Sequence, residues 1–224
     1  MITACNNDQK SNTKPAENTN KEKEEVVTPK NDDPSGIGTI RKVWKVNAID
    51  VDPGDQTPGI EQFALAFCKE YPQFPLNRVM RDYLIKGTYD KSQYEIVNDP
   101  NHGYIHCMWE VQTTPVTDVC FWNRSNGNKL VAAYMEDTHE SGEWYERLVA
   151  FYDFDPATNM MTPEPALTEM IMNRVKKYDC YAVTLPRVGK DINVVGYIID
   201  KEEDSADSKE MLLKWNGMTF DWEE

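Results

Sequence analysis

The chain has 224 residues, the size of one domain, and carries 38 acidic against 24 basic side chains, a formal charge of −14. A surface this acidic repels phosphate backbones and anionic headgroups, which argues against nucleic acid and leaves a cationic protein or a metal ion as an easier partner. No apolar run approaches the ~18–20 residues of a bilayer span, so a covalent lipid or a partner would have to supply any membrane association.

Residues 1–36 hold seven acids and five lysines and no aromatic side chain. Such a segment cannot offset the entropy of ordering and reads as a disordered tether. All 6 Trp, 11 Tyr and 7 Phe lie at or after Trp44, which leaves 37–224 as a single folded domain. Near the start of the tether, Ile2-Thr3-Ala4-Cys5 resembles the lipobox of bacterial lipoproteins, and the polar stretch behind it provides the spacer an anchored domain needs. The resemblance covers those residues and the tether alone. It implies acylation of Cys5 and a signal segment upstream of Met1, since too few residues precede the cysteine to form one. It also implies a place in the cell envelope, at the outer membrane, because Asn6 rather than an aspartate follows Cys5.

In the body, Ile60, Phe63, Ala64, Phe67, Cys68 and Tyr71 recur at helical spacing behind Thr57-Pro58, a plausible N-cap and first helical position. After Pro72 and Pro75 a second helix reads through Leu76, Val79, Met80, Tyr83 and Leu84 to a stop at Gly87. From Tyr94 the period becomes two. Ile105, Cys107, Trp109 and Val111 alternate with Tyr104, His106, Met108 and Glu110, which places the first set in a core and His106 toward solvent.

Asn126-Gly127 then signals a type I′ hairpin, pairing Trp122 with Val131 and Phe121 with Ala132. The segment WYERLVAFYDFD continues the meander to a turn at Asp155-Pro156. Thr162-Pro163 opens a third helix bearing Leu167, Met170, Ile171, Val175 and Tyr178 on one face. Strands flank Gly189-Lys190 as a type II′ turn, KEEDSADSKE reads as a charged surface loop, and Asn216-Gly217 sets Leu213 opposite Phe220. Helices grouped apart from antiparallel strands predict an α+β fold, an antiparallel β-meander packed against about three helices. Helix followed by meander occurs over 57–161 and again over 162–224, and one continuous sheet is the simpler expectation. With its WNRSNGNKL and LPRVGKDI hairpins, the body is similar to uncharacterised envelope lipoproteins of Gram-negative anaerobes; no functional residue carries over from that similarity.

Candidate chemistry is sparse. A hairpin loop centred on Thr113-Thr114 would place Cys107 opposite Cys120, within disulfide reach, against the alternative that all four body cysteines are small buried hydrophobes. His139, Glu140 and Glu143 sit in the carboxylate-rich stretch Glu136–Glu146, a pattern open to holding a metal ion, to general acid and base work or to simple solvation. Asp50, Asp52, Asp55 and Glu61 fail the calcium-loop pattern where a ligand and a glycine are required, so a turn ahead of a helix is the better reading. Trp109, Trp122 and Trp215 lie in strands as core, whereas Trp44, Trp144 and Trp222 sit near element ends and are candidates for a binding platform. No catalytic, phosphate-binding, metal or cofactor motif is present.

Three functions follow as expectations: a non-enzymatic envelope lipoprotein binding a protein or a glycan, an inhibitor of a cationic enzyme, and a carboxylate-dependent hydrolase. Feeding cells a clickable fatty-acid analogue should label the full-length wild-type product and miss Cys5→Ala; equal labelling of both would end the lipoprotein reading.

Overall fold

The computed structural model describes residues 46–54, 57–110, 115–138, 145–200 and 205–224. The proposed lipobox with Cys5, together with the tether, Trp44, His139, Glu140, Glu143 and Trp144, falls outside them. The described elements run in chain order β1 (Ile49–Asp50), α1 (Ile60–Glu70), α2 (Pro75–Lys86), β2 (Tyr94–Asp99), β3 (Tyr104–Trp109), β4 (Val116–Asn123) and β5 (Lys129–Thr138). They continue with β6 (Tyr145–Asp155), β7 (Met160–Pro163), α3 (Pro165–Val175), β8 (Cys180–Thr184), β9 (Ile192–Asp200), β10 (Ser205–Trp215) and β11 (Phe220–Trp222). The fold is α+β with antiparallel sheets, and strand outweighs helix.

The strands form two sheets rather than one. The larger is a seven-stranded meander in the order β1-β7-β6-β5-β4-β3-β2, and the smaller has four strands in the order β11-β10-β9-β8. The reason lies in the larger sheet's central strands. Along β5, Val131, Ala133 and Met135 enter a core with α1 and α2. Leu130, Ala132 and Tyr134 enter a second core with α3 and the smaller sheet. Along β6, Leu148, Ala150 and Tyr152 alternate in the same way with Val149 and Phe151. A strand with two apolar faces needs a cover on each, so the second sheet stacks on the first instead of extending it.

The helices keep the faces read from their spacing but begin later. Gly59, not Thr57, caps α1: its N–H donates to Gln62 Oε1 at 2.9 Å and its carbonyl accepts from Phe63 N at 3.1 Å. Thr162-Pro163 belongs to β7, paired with Asp153 and Tyr152, and α3 starts at the next proline, Pro165. Gly87 ends α2 in the left-handed conformation as expected, with φ +73°.

Turns shift the registers. At Asn126-Gly127 only the glycine has positive φ, +94°. Gly127 N donates to Arg124 O at 3.1 Å and Arg124 N to Asn128 O at 2.9 Å, a type I turn with a glycine bulge rather than a type I′ turn. The register therefore moves by one, pairing Trp122 with Leu130 and Phe121 with Val131. Arg124 clamps this turn to Asp153 and Glu164. Trp215, not Leu213, faces Phe220. Gly189-Lys190 is not a two-residue turn, since the last pair before it is Thr184 with Asn193. SADSKE, expected as loop, is strand β10, laddered to β9 from Ser205–Asp200 onward.

The Cys107–Cys120 disulfide is excluded by register. Cys107 pairs with Thr117 and Cys120 with Tyr104, so the two sulfurs enter different cores. Both are free, as are Cys68 and Cys180, and Cys180 alone of the four is not fully buried.

Gly127 provides the test of the hairpin. A Cβ there would meet nothing within 4 Å, so the cost of a side chain is purely conformational. Gly127→Val should lower stability by about 1–3 kcal/mol in urea unfolding; a midpoint equal to wild type would contradict the turn.

Candidate functional site

A cavity of about 220 Å³ opens where four chain segments meet: the β2–β3 turn (Pro100–Gly103), the end of β4 (Cys120–Asn123), the loop after β8 (Pro186, Gly189, Lys190) and Trp215. Gly103 shapes one wall. Its φ is +65°, and an added Cβ would lie 2.8 Å from Phe121 Cε1, so only glycine lets that ring close on the turn. Phe121 N donates back to Gly103 O at 3.1 Å.

The opposite wall is aromatic. Trp122 stacks on Trp215 with centroids 5.9 Å apart and meets Phe220 edge-on at 5.0 Å. Trp122 Nε1 donates to Lys190 O at 2.8 Å, holding the β8–β9 loop against β4. Asp191 secures the same loop by accepting Trp215 N at 3.0 Å and Lys214 Nζ at 3.1 Å.

An ion pair ties this loop to the β2–β3 turn. Arg187 Nε donates to Asp99 Oδ2 at 2.8 Å, and His102 Nδ1 lies 3.0 Å from the same oxygen. The Arg187 hydrogen bond, ahead of the His102 contact, holds the Asp99 carboxyl below its ordinary value. The lining residues include Asn101, His102, Asn123 and Lys190 but no Asp or Glu, although acids outnumber bases by 38 to 24 in the chain. The cavity thus combines aromatic faces with amide and cationic donors.

Two polar clusters lie on the same face of the larger sheet. His106 is not solvent-facing. It hydrogen-bonds through Nδ1 to Asp118, its register partner, and only 16% of its side chain is exposed. Tyr104 OH reaches the same carboxylate at 3.4 Å. Alternation turned His106 away from the first core, as read, but the face it enters is itself covered. Burial alone would lower the His106 pKa; the hydrogen bond and charge of Asp118, with Glu95, outweigh it and leave the pKa raised.

In the second cluster, buried Glu136 accepts Arg147 Nη2 at 2.8 Å and Tyr134 OH at 2.6 Å. Arg147 also lies over the Tyr181 ring at 5.7 Å. Glu136 is the one acid of the Glu136–Glu146 stretch whose side chain is described, and it belongs to a buried cross-strand ion pair of the larger sheet rather than to an exposed loop.

The remaining sequence candidates are placed as follows. Trp222 is half-buried against the second core, with the Arg174 guanidinium 5.4 Å from its ring, so it is no open platform. Asp50 lies in β1, Asp52 accepts Gly54 N at 3.0 Å in a turn, and Glu61 accepts Asn98 Nδ2 at 2.6 Å, so no calcium loop forms from them. Among the described residues no cluster of three or more His, Cys, Asp or Glu is arranged to hold a metal ion, and no helix is long and apolar enough to cross a membrane. Burial raises the pKa of all four described thiols, Cys107 to about 12, which keeps them protonated and poor nucleophiles at neutral pH.

The chain matches no protein-family profile and no curated protein sequence. Among solved structures it is similar to a domain of an uncharacterized protein from Porphyromonas gingivalis W83, with a TM-score of 0.45 and 10% identity over 74% of this chain and 98% of that one.

The raised pKa of His106 gives a signed pH dependence. Its contribution to stability is complete below the unfolded-state value of ~6.5 and disappears as pH rises through the higher folded value. Raising pH from about 6 to about 9 should therefore lower the unfolding midpoint of the wild type relative to His106→Gln. Parallel pH profiles would show that the Asp118 pair contributes nothing.

Proposed function

We propose that this protein is a non-enzymatic cell-envelope lipoprotein, anchored through Cys5, whose folded domain binds a glycan in the cavity beside Trp122 and Trp215. The observation that carries the glycan reading is the lining itself. Sugar rings offer apolar faces that stack on aromatic side chains and hydroxyls that pair with amides and cations. The cavity supplies the half-buried rings of Phe121 and Trp215 for the first, with Trp122 buried behind Trp215, and Asn101, Asn123, His102 and Lys190 for the second. Its walls are braced by the Arg187–Asp99 ion pair and the Trp122–Lys190 hydrogen bond, so a ligand would meet a largely preformed surface. At about 220 Å³ it suits one sugar residue of a chain better than a long oligosaccharide.

The anchor and the envelope location rest on the Ile2-Thr3-Ala4-Cys5 resemblance, and a surface-tethered domain is a natural carrier for such a site. A binding role also fits the two buried pairs, His106–Asp118 and Glu136–Arg147. Each is occupied by its own partner, with no adjacent activated nucleophile.

Asn101 and Lys190 are exposed and can be truncated without opening a core. Screened against immobilised bacterial and host oligosaccharides, the wild type should bind at least one. Asn101→Ala and Lys190→Ala should each weaken that binding about 5–10-fold, the value of one lost hydrogen bond. Failure of every oligosaccharide to bind, or unchanged affinity in both variants, would remove the glycan reading.

A further inference from the structure

The smaller sheet has an open edge. Strand β11 covers only Leu213–Trp215 of β10, whereas β9 pairs with β10 from Ser205 to Leu213. Residues 206–210 are exposed, and among the described residues no strand lies along their outer side.

The hydrogen-bond parity of that edge can be read from its covered end. Glu223 N donates to Leu212 O at 2.8 Å, on the β11 side, while Trp215 N turns the other way to Asp191 Oδ1 at 3.0 Å. Alternation along the strand then directs the backbone N–H and C=O of Glu210, Ser208 and Ala206 outward.

We propose that β10 pairs with β10 of a second copy of this chain, antiparallel, about a two-fold axis through Ser208. That axis makes Ser208–Ser208 and Ala206–Glu210 the hydrogen-bonded pairs, as the parity requires. It also sets Asp207 of each copy directly opposite Lys209 of the other, an attractive cross-strand pair made twice. Neighbouring axes fail on both counts. Centring on Asp207 or on Lys209 places like charges face to face and presents residues whose backbone groups already point toward β9. The charge order along this edge is therefore complementary to its own two-fold image, an isologous contact. Charged side chains alone would serve to discourage any edge pairing; the opposed signs on either side of Ser208 select one partner strand.

Sedimentation equilibrium of the full chain, from about 1 µM to about 1 mM in ~0.15 M salt, should show a reversible dimer. Asp207→Lys should weaken it about tenfold or more, by setting lysines opposite one another at both pairs. The swap Asp207→Lys with Lys209→Asp should restore the wild-type association. Ser208→Cys, on the axis, should form an intermolecular disulfide on mild oxidation, since facing residues of a hydrogen-bonded pair lie within bridging distance. A wild type that stays monomeric throughout, an Asp207→Lys variant as dimeric as wild type, or a charge swap that fails to restore pairing would each overturn the proposal. None of these outcomes depends on the glycan site, which takes Trp215 from the far end of β10 but no residue of the 206–210 edge.

Discussion

Burial of the central sheet on both of its faces is the constraint on which the remaining architecture depends. Strands β4, β5 and β6 carry apolar side chains at odd and at even positions, so a single cover of helices would leave half of them in water. Tyr152, Phe154 and Met135 close against α1 and α2, while Phe151, Tyr134 and Leu130 close against α3 and the smaller sheet. Each fully buried side chain of this size contributes roughly 1.5–3 kcal/mol, so neither cover is dispensable. The second sheet and α3 are thus required by the composition of β5 and β6.

Two-sided burial has an electrostatic consequence. Polar side chains on the central strands cannot turn to solvent, so they are satisfied in place. On the helix side, Asn77 donates to Tyr71 O at 2.9 Å and accepts from Thr117 Oγ1 at 3.0 Å, joining α2 to β4. On the sheet side, Asp118 takes His106 and Tyr104, and Glu136 takes Arg147 and Tyr134. Removing one partner of such a pair leaves a desolvated charge, which costs far more than the pair itself contributes. These clusters therefore specify register more than they add stability. Glu136 can face Arg147 in β6 only if β5 and β6 keep their observed pairing.

The same two-sidedness decides how far the fold was legible from residues alone. One-faced elements were readable: the stripe from Ile60 to Tyr71 and the Gly87 stop of α2 are where spacing placed them. Registers were not. In KLVAAYM a slip of one residue exchanges one apolar face for another, so the pattern cannot choose between Val131 and Leu130 as the partner of Trp122. Only turn geometry chooses, and there the single positive φ of Gly127 selected a bulged turn. His106 was misread for a related reason, since alternation names the face a residue enters but not whether that face is covered. The cavity was illegible because its walls come from residues 100–103, 120–123, 186–190 and 215, brought together only by the stacking of the two sheets.

That origin bears on what the cavity can do. Its parts belong to both sheets, and the links that hold it are also links between layers. Trp122 Nε1 to Lys190 O and Arg187 to Asp99 each join the larger sheet or its turn to the loop of the smaller. Ser125 N to Gly217 O, at 3.1 Å, does the same between the two glycine-bearing turns beside it. A ligand seated among Trp122, Trp215 and Lys190 would contact both layers at once, so its binding free energy adds directly to whatever holds them together. Loss of the second cover would remove half of the cavity along with half of the core. Packing of the central sheet and the shape of the cavity at its rim are one structural commitment, made by the residues at the end of β4.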